Sequence, residues 1–327
     1  MRQNNIFLML LKVFFFSSIL VATSAVRAEL KVVTTIKPLH SLIANVMDGV
    51  GEPALIIEGS TSPHSFTLKP SHAKLLEEAD IIFWVGESIE TFMERPLESI
   101  VKNAEVVEFM EVESINKLKF REESIFEDHD DHDDHDDHDD HDDHDDHDDH
   151  SGHDDHGHAH GEFDAHIWLD PMNAKEMVHE IAHELSDLDP ANKDKYEANA
   201  QATIQTLNQL VKDIEKEINK DAKFVVFHDA YQYFEERFET RAAGALTLNT
   251  DVLPGAKQIA DIQDVIKDRG IKCIFSEPQF NPKIITTIAE DMNIKTGVFD
   301  PLGANIDSNK DLYFKLIQNL GNELKGC

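Results

Sequence analysis

The chain has 327 residues, with 64 acidic side chains against 30 lysines and arginines and a formal net charge of −34. A surface that acidic makes nucleic acid and anionic lipid poor partners and cations good ones. The length suffices for about two domains with cores of their own.

Residues 1–28 read as an export signal rather than as fold. Arg2 and Lys12 flank an apolar run from Ile6 that continues through Val13 to Val21, and small residues lead to Ala28, the expected cleavage point. No cysteine lies near that point, which argues against a lipid anchor. No later run reaches the roughly 18 apolar residues of a membrane span. The expected location is therefore outside the cytoplasm.

From Glu29 short β-branched runs alternate with helical stretches. Lys31–Ile36 predicts a strand ended by Pro38, with a helix from Ser41; Ala54–Ile57 predicts a second, followed by a loop to Pro70 and a helix from Ser71. Ile81–Val85 predicts a third, then a helix near Ile89, and Ala104–Val107 a fourth. Repeated βα units of this kind predict a parallel sheet covered by helices.

The chain then enters a tract of different chemistry, residues 128–160. Its histidines are His129, His132, His135, His138, His141, His144, His147, His150, His153, His156, His158 and His160, twelve of the nineteen in the chain, set among 17 aspartates. Nothing apolar larger than alanine occurs there to offset the entropy of ordering the backbone, so a disordered loop is expected. Neutral imidazoles bind zinc, copper or nickel, and the carboxylates raise the local cation concentration. A solvated acidic spacer is the plainer alternative. The histidine at every third position favours an auxiliary metal loop of modest affinity.

Beyond the tract, Ala174–Leu188 and then Asp189-Pro190 to Lys220 predict a long helical region, with Asp189 as a cap and Leu207, Leu210, Val211, Ile214 and Ile218 on one face. About 30 helical residues would make a rod of about 45 Å joining two lobes. Phe224–Phe227, Cys273–Phe275 and Thr296–Phe299 predict further buried strands. Cys273 and Cys327 are the two cysteines; in an oxidising compartment the pair suggests one disulfide, with two unpaired thiols as the alternative.

Four groups share one kind of position, the loop just after an apolar segment. They are His64 after Ser62-Pro63, His166 after Asp164-Ala165, His228 after Phe224–Phe227, and Asp300 after Gly297–Phe299. Ligands of open α/β sheets bind beyond the carboxyl ends of the strands. Two sheets facing across a cleft would bring these groups together as a tetrahedral shell suited to zinc. Each histidine alone is more economically read as structural; the joint pattern carries the argument. Glu277 ends a strand at the same edge and is placed to hydrogen-bond a ligating imidazole. His40, after Lys37-Pro38-Leu39, is a further outer-shell candidate, while His72 reads as a packed or solvated residue at a helix start. His179-Glu180-Ile181-Ala182-His183 fits the zinc-peptidase pattern H-E-x-x-H, but it is short, and chance matches are expected in a chain so rich in Glu and His. No phosphate-cradling G-x-x-x-x-G-K-[ST] occurs.

In order along the chain, Thr34–His40, Ser62-Pro63-His64, Leu68–Ser71, Ala79–Gly86, His166–Pro171, Phe227–Tyr231, Glu277–Phe280 and Asp300–Gly303 resemble the ZnuA family of periplasmic zinc-binding components of bacterial ABC importers. The resemblance spans nearly all of the chain after the signal. It implies two α/β lobes, each with a small parallel sheet flanked by helices, joined by one long rigid helix with metal in the interlobe cleft. It also implies a His/Asp-rich loop before the second ligand histidine and a Cys273–Cys327 disulfide. His64, His166 and His228 match the family's ligand histidines. The fourth ligand is expected to be Asp300 or water, since Pro63 stands where some relatives carry a glutamate.

The expected organisation is a signal at 1–28, an N-terminal lobe at 29–171 containing the 128–160 loop, a helical connector at 172–220 and a C-terminal lobe at 221–327. The expected function is zinc capture and delivery to an ABC permease with a separate ATPase subunit, by a monomer that is not an enzyme. A periplasmic zinc chaperone is a further candidate partner. The alternatives are a secreted peptidase using His179 to His183 and an extracellular zinc buffer or adhesin.

Overall fold

The computed structural model describes residues 29–126, 162–248, 250 and 253–327. The signal and the histidine tract therefore lie outside the described residues.

Two four-stranded parallel sheets dominate. The first is built from β1 (Val32–Thr34), β2 (Ala54–Leu55), β3 (Ile81–Trp84) and β4 (Glu105–Glu108), in the order β2-β1-β3-β4. Its register pairs Val33 with both Ala54 and Ile82, and Ile82 with Val106. The second comprises β5 (Phe224–His228), β6 (Ala245–Thr247), β7 (Cys273–Ser276) and β8 (Lys295–Val298), in the order β6-β5-β7-β8. Parallel pairing demands a crossover between successive strands, and helices on both faces bury the strands, which is why the central ones read as unbroken apolar runs. All residues of β3 and β5 are buried.

The crossovers of the first sheet are α1 (Lys37–Val46), α2 (Pro70–Glu78) and α3 (Glu94–Ser99). Helix α1 starts four residues before the expected Ser41, because Pro38 falls in the first turn, where its missing N–H costs nothing. The helix expected near Ile89 is replaced by a 3₁₀ turn at Thr91–Met93 leading into α3. There the carboxylate of Glu90 accepts the backbone N–H groups of Val85 (2.7 Å) and Gly86 (3.1 Å) and holds the chain as a loop. His72 closes the start of α2, its Nδ1 accepting from the backbone N–H of Lys69 at 3.2 Å.

The helical region between the sheets is a hairpin, α4 (Pro171–Leu188) and α5 (Lys193–Glu217), joined by a 3₁₀ turn at Pro190–Asn192. The long helix is thus 25 residues, about 37 Å. It packs on α4, on α1 of the first lobe and on α9 of the second, through Tyr196, Ala200, Leu207 and Ile214. Asp189 does not cap a backbone N–H with its side chain; its Oδ2 accepts from Asn192 Nδ2 (2.6 Å) and the Tyr196 hydroxyl (3.2 Å).

The second sheet carries α6 (Gln232–Phe238), α7 (Ala256–Asp268), α8 (Lys283–Met292) and α9 (Leu312–Lys325). Strand β6 was not anticipated, being only three residues long. Phe275 and Phe299 stack with ring centroids 4.0 Å apart, and a Cβ on Gly297 would lie 2.4 Å from the Phe275 ring, so the close approach needs glycine. A disulfide joins Cys273, at the start of β7, to Cys327, with Cα atoms 5.8 Å apart.

The halves are tied to each other by buried and part-buried hydrogen bonds. Lys37 of α1 donates to the carbonyls of Gly303 (2.6 Å), Ala304 (3.1 Å) and Ile306 (2.6 Å) beyond β8. Trp168 Nε1 donates to the Pro301 carbonyl (2.8 Å), and the Tyr313 hydroxyl to that of Trp168 (2.7 Å).

Candidate metal centre

Three chain segments far apart in sequence end at one point. His64 sits in a 3₁₀ turn, Pro63–Ser65, in the loop beyond β2. His166 precedes the 3₁₀ turn Ile167–Leu169, which runs into α4 with Asp170 capping the Met172 N–H at 2.8 Å. His228 is the last residue of β5. His64 and His228 thus follow strands of the two sheets on their carboxyl side, and His166 reaches the same point from a loop that no sheet strand directly precedes.

The imidazole centroids are 5.6 Å (His64–His166), 5.5 Å (His64–His228) and 4.9 Å (His166–His228) apart. Their ligand nitrogens all lie within 4.8 Å of one another, and among the described residues this is the one group of three or more potential ligands that close. Tetrahedral zinc with Zn–N bonds of about 2.0–2.1 Å requires nitrogens about 3.3 Å apart, so small rotations of the three rings suffice. Between them, walled by Trp168, Phe280, Pro301 and Leu302, is a cavity of about 10 Å³, room for a single small body and nothing larger. Roomier clefts, of about 710 and 630 Å³, lie elsewhere and contain no such ligand set among the described residues.

Burial and carboxylates prepare the donors. His166 and His228 are 4% and 3% exposed, so their protonation is decided by their neighbours. Asp164 Oδ1 accepts the backbone N–H of His166 (2.9 Å) and lies 2.7 Å from its Nδ1. A proton on Nδ1 then leaves Nε2 as the lone pair facing the cavity. Burial, with the neighbouring His228, pulls the His166 pKa well below the usual histidine range and keeps the ring neutral. Burial pushes Asp164 up to about 7, against the pull of the His166 N–H, and its Oδ2 is buried without a hydrogen-bond donor. His228 differs. Burial lowers its pKa, but Glu277, Asp229 and Asp164 together outweigh burial and raise it. Glu277 Oε2 stands 3.4 Å from His228 Nδ1.

A second layer was not legible beforehand. Arg121, just before the tract, donates to Asp229 (2.9 Å) and Glu235 (2.6 Å) and covers the Phe126 ring at 4.1 Å. Asp229 directly follows His228, and burial pushes its pKa up to about 7. The Tyr233 hydroxyl lies 2.5 Å from the Asp164 carbonyl and holds that loop to α6. Asp164 carried a signal, two positions before a candidate ligand; Arg121, in a loop without periodicity, carried none.

Two expected members of the site are placed differently. Asp300 does not join the histidines: its Oδ1 accepts from Gln279 Nε2 (3.0 Å) and the Leu302 N–H (3.1 Å), and its Oδ2 from the Ala304 N–H (2.6 Å). Both oxygens close the turn after β8, in which Gly303 adopts a φ of +67°. His40 is likewise not at the cavity wall, since its Nε2 lies against the Pro53 carbonyl at 3.1 Å. Glu277 does line the cavity. His179 and His183 are exposed on α4, with no third ligand gathered beside them among the described residues.

Two lobes with parallel sheets, a spanning helix and a buried three-imidazole pocket at their shared edge define a metal-binding protein of the two-lobed substrate-binding class. Residues 32–327 match the profile of the zinc-uptake complex component A family, periplasmic (ZnuA), and the chain belongs to that family. It is 48% identical over 303 residues to the high-affinity zinc uptake system protein ZnuA of Brucella abortus, covering 90% of this chain and 91% of that one. To the protein of the same name from Yersinia pestis it is 32% identical over 313 residues, 95% of each chain. A crystal structure of a ZnuA superposes with a TM-score of 0.70 at 21% identity, over 90% of this chain and 98% of that one, which shows the shared fold.

Proposed function

We propose that this protein captures zinc in the periplasm and hands it to an inner-membrane ABC permease driven by a separate ATPase subunit. The observation that carries the reading is the convergence of His64, His166 and His228, with ligand nitrogens within 4.8 Å of one another in a buried, single-ion cavity. Three neutral imidazoles suit zinc better than a hard cation such as magnesium or calcium. Membership of the zinc-uptake family and the printed names of its relatives support zinc as cargo rather than as a resident cofactor.

With Asp300 engaged in its own turn, water completes the shell as fourth ligand. Asp164 and Glu277 orient two of the three rings and supply negative charge near the dication. The tract at 128–160 acts as an auxiliary, weaker zinc-binding segment. Its described flanks are held in the fold: the Phe126 N–H donates to the Ala243 carbonyl (3.1 Å), and the Phe120 N–H to that of Glu162 (3.3 Å). Nothing in this scheme calls for bond chemistry, and among the described residues no third ligand of the kind a zinc peptidase uses stands beside the exposed H-E-x-x-H pair. The protein works as a monomer.

Competition titration of zinc against a chromophoric chelator tests the reading. The full chain should show one tight site, kept when 128–160 is deleted and lost in His228→Ala. Retention of the tight site in His228→Ala would refute it.

A further inference from the structure

The cleft makes no use of two other histidines. His179 and His183 sit in the middle of α4, one helical turn apart, on its exposed face. Side chains at that spacing have Cβ atoms about 5–6 Å apart and lie on the same face. Both line a shallow cleft of about 270 Å³ between α4 and α5, together with Lys193 and Glu197. The other side of α4, Met177, Val178, Ile181 and Leu185, is buried in the core, so the backbone presenting the two rings is held rigid. Glu176 and Glu180, each three residues before one of the two histidines, place carboxylates on the neighbouring strip of the helix.

We propose that His179 and His183 form a second, solvent-open chelate on the α4–α5 hairpin for late divalent metals such as zinc, nickel or copper. Two imidazoles on consecutive helical turns offer two nitrogens to one ion, the arrangement by which H-E-x-x-H helices hold zinc. The second nitrogen binds intramolecularly once the first has bound, so the pair exceeds a single surface histidine. Glu197 is engaged by Lys193 at 3.6 Å, and water fills the remaining positions. The site is therefore weaker than the buried cleft, and it is filled only after it. Nitrogen donors on an exposed face give no advantage to magnesium or calcium, which prefer oxygen cages.

Carbethoxylation of histidines in the full chain, read residue by residue by mass spectrometry under buffered free zinc, tests the assignment without interference from the tract. With the cleft already filled, further zinc should protect His179 and His183 over one shared concentration range, and nickel should do the same. His179→Ala should move the protection of His183 to zinc concentrations higher by on the order of a hundredfold. Three results would overturn the proposal: absence of protection at both rings, equal protection by magnesium, or an unaltered His183 curve in His179→Ala.

Discussion

Asp164 and His166 are joined twice, through the backbone N–H of the histidine at 2.9 Å and its Nδ1 at 2.7 Å. One carboxylate oxygen thus fixes both the loop and the ring, and the free nitrogen can only face the cavity. Asp164→Asn should weaken zinc binding by about 10- to 100-fold, the usual consequence of losing a carboxylate behind a ligand histidine. Competition titration reads this directly; unchanged affinity would mean that packing against Trp168, 5.4 Å away, orients the ring instead.

Zinc and protons compete for the same nitrogens, and His228 is where the proton competes best. Its raised pKa means that protonation of the empty site begins above the ordinary histidine range as pH falls. Zinc affinity should accordingly drop as pH decreases through neutrality, with proton release on binding. Glu277→Gln removes the main group favouring the charged ring and should move the onset of that loss to lower pH. Measuring Kd from pH 5 to 8 decides it, and an onset unchanged by Glu277→Gln contradicts the assignment.

Asp300 gives a test of the fourth ligand. With both oxygens committed to Gln279, Leu302 and Ala304, Asp300→Asn should lower thermal stability more than zinc affinity. A loss of affinity as large as that of His166→Ala would make Asp300 a ligand after all.

Glu90 offers a stability test remote from zinc. Burial raises its pKa from 4.5 to about 7 in the fold. Between those values the folded state holds a proton that the unfolded chain has released, so this contribution to stability is present at low pH and fades as pH rises from about 4.5 to 7. The full swing is about 3 kcal/mol. Urea unfolding of wild type and Glu90→Gln should show a stability difference that changes by this order across the window; a pH-independent difference refutes it.

The disulfide should stabilise the second lobe without touching the site. Closing 54 residues of chain constrains the unfolded state by about 4 kcal/mol. Cys273 opens β7, whereas Glu277 lies just past its other end, about 13 Å along the strand. Replacing both cysteines by serine should lower stability by up to that amount while leaving zinc affinity within a few-fold.

The sheets were legible because parallel strands buried on both faces leave continuous apolar runs, as in Ile81–Trp84 and Phe224–His228. Of the three candidate ligand histidines only His228 ends such a strand; His64 lies nine residues beyond β2 and His166 precedes a 3₁₀ turn, so those two were legible only through the joint pattern. Asp300 occupies the same kind of position, but its carboxylate closes the turn after β8, and sequence does not say which N–H groups will lie within reach. His40 is likewise engaged by the Pro53 carbonyl, a contact made by a loop thirteen residues on. Arg121 could not be foreseen, since its meaning depends on Asp229 and Glu235, more than a hundred residues away.

Anomalous diffraction at the zinc edge, from crystals loaded with a single equivalent, shows directly whether one ion is shared by the three distant imidazoles. One dominant peak is expected about 2 Å from nitrogens of His64, His166 and His228, with a water beside it. A dominant peak anywhere else, with those three rings empty, would contradict it.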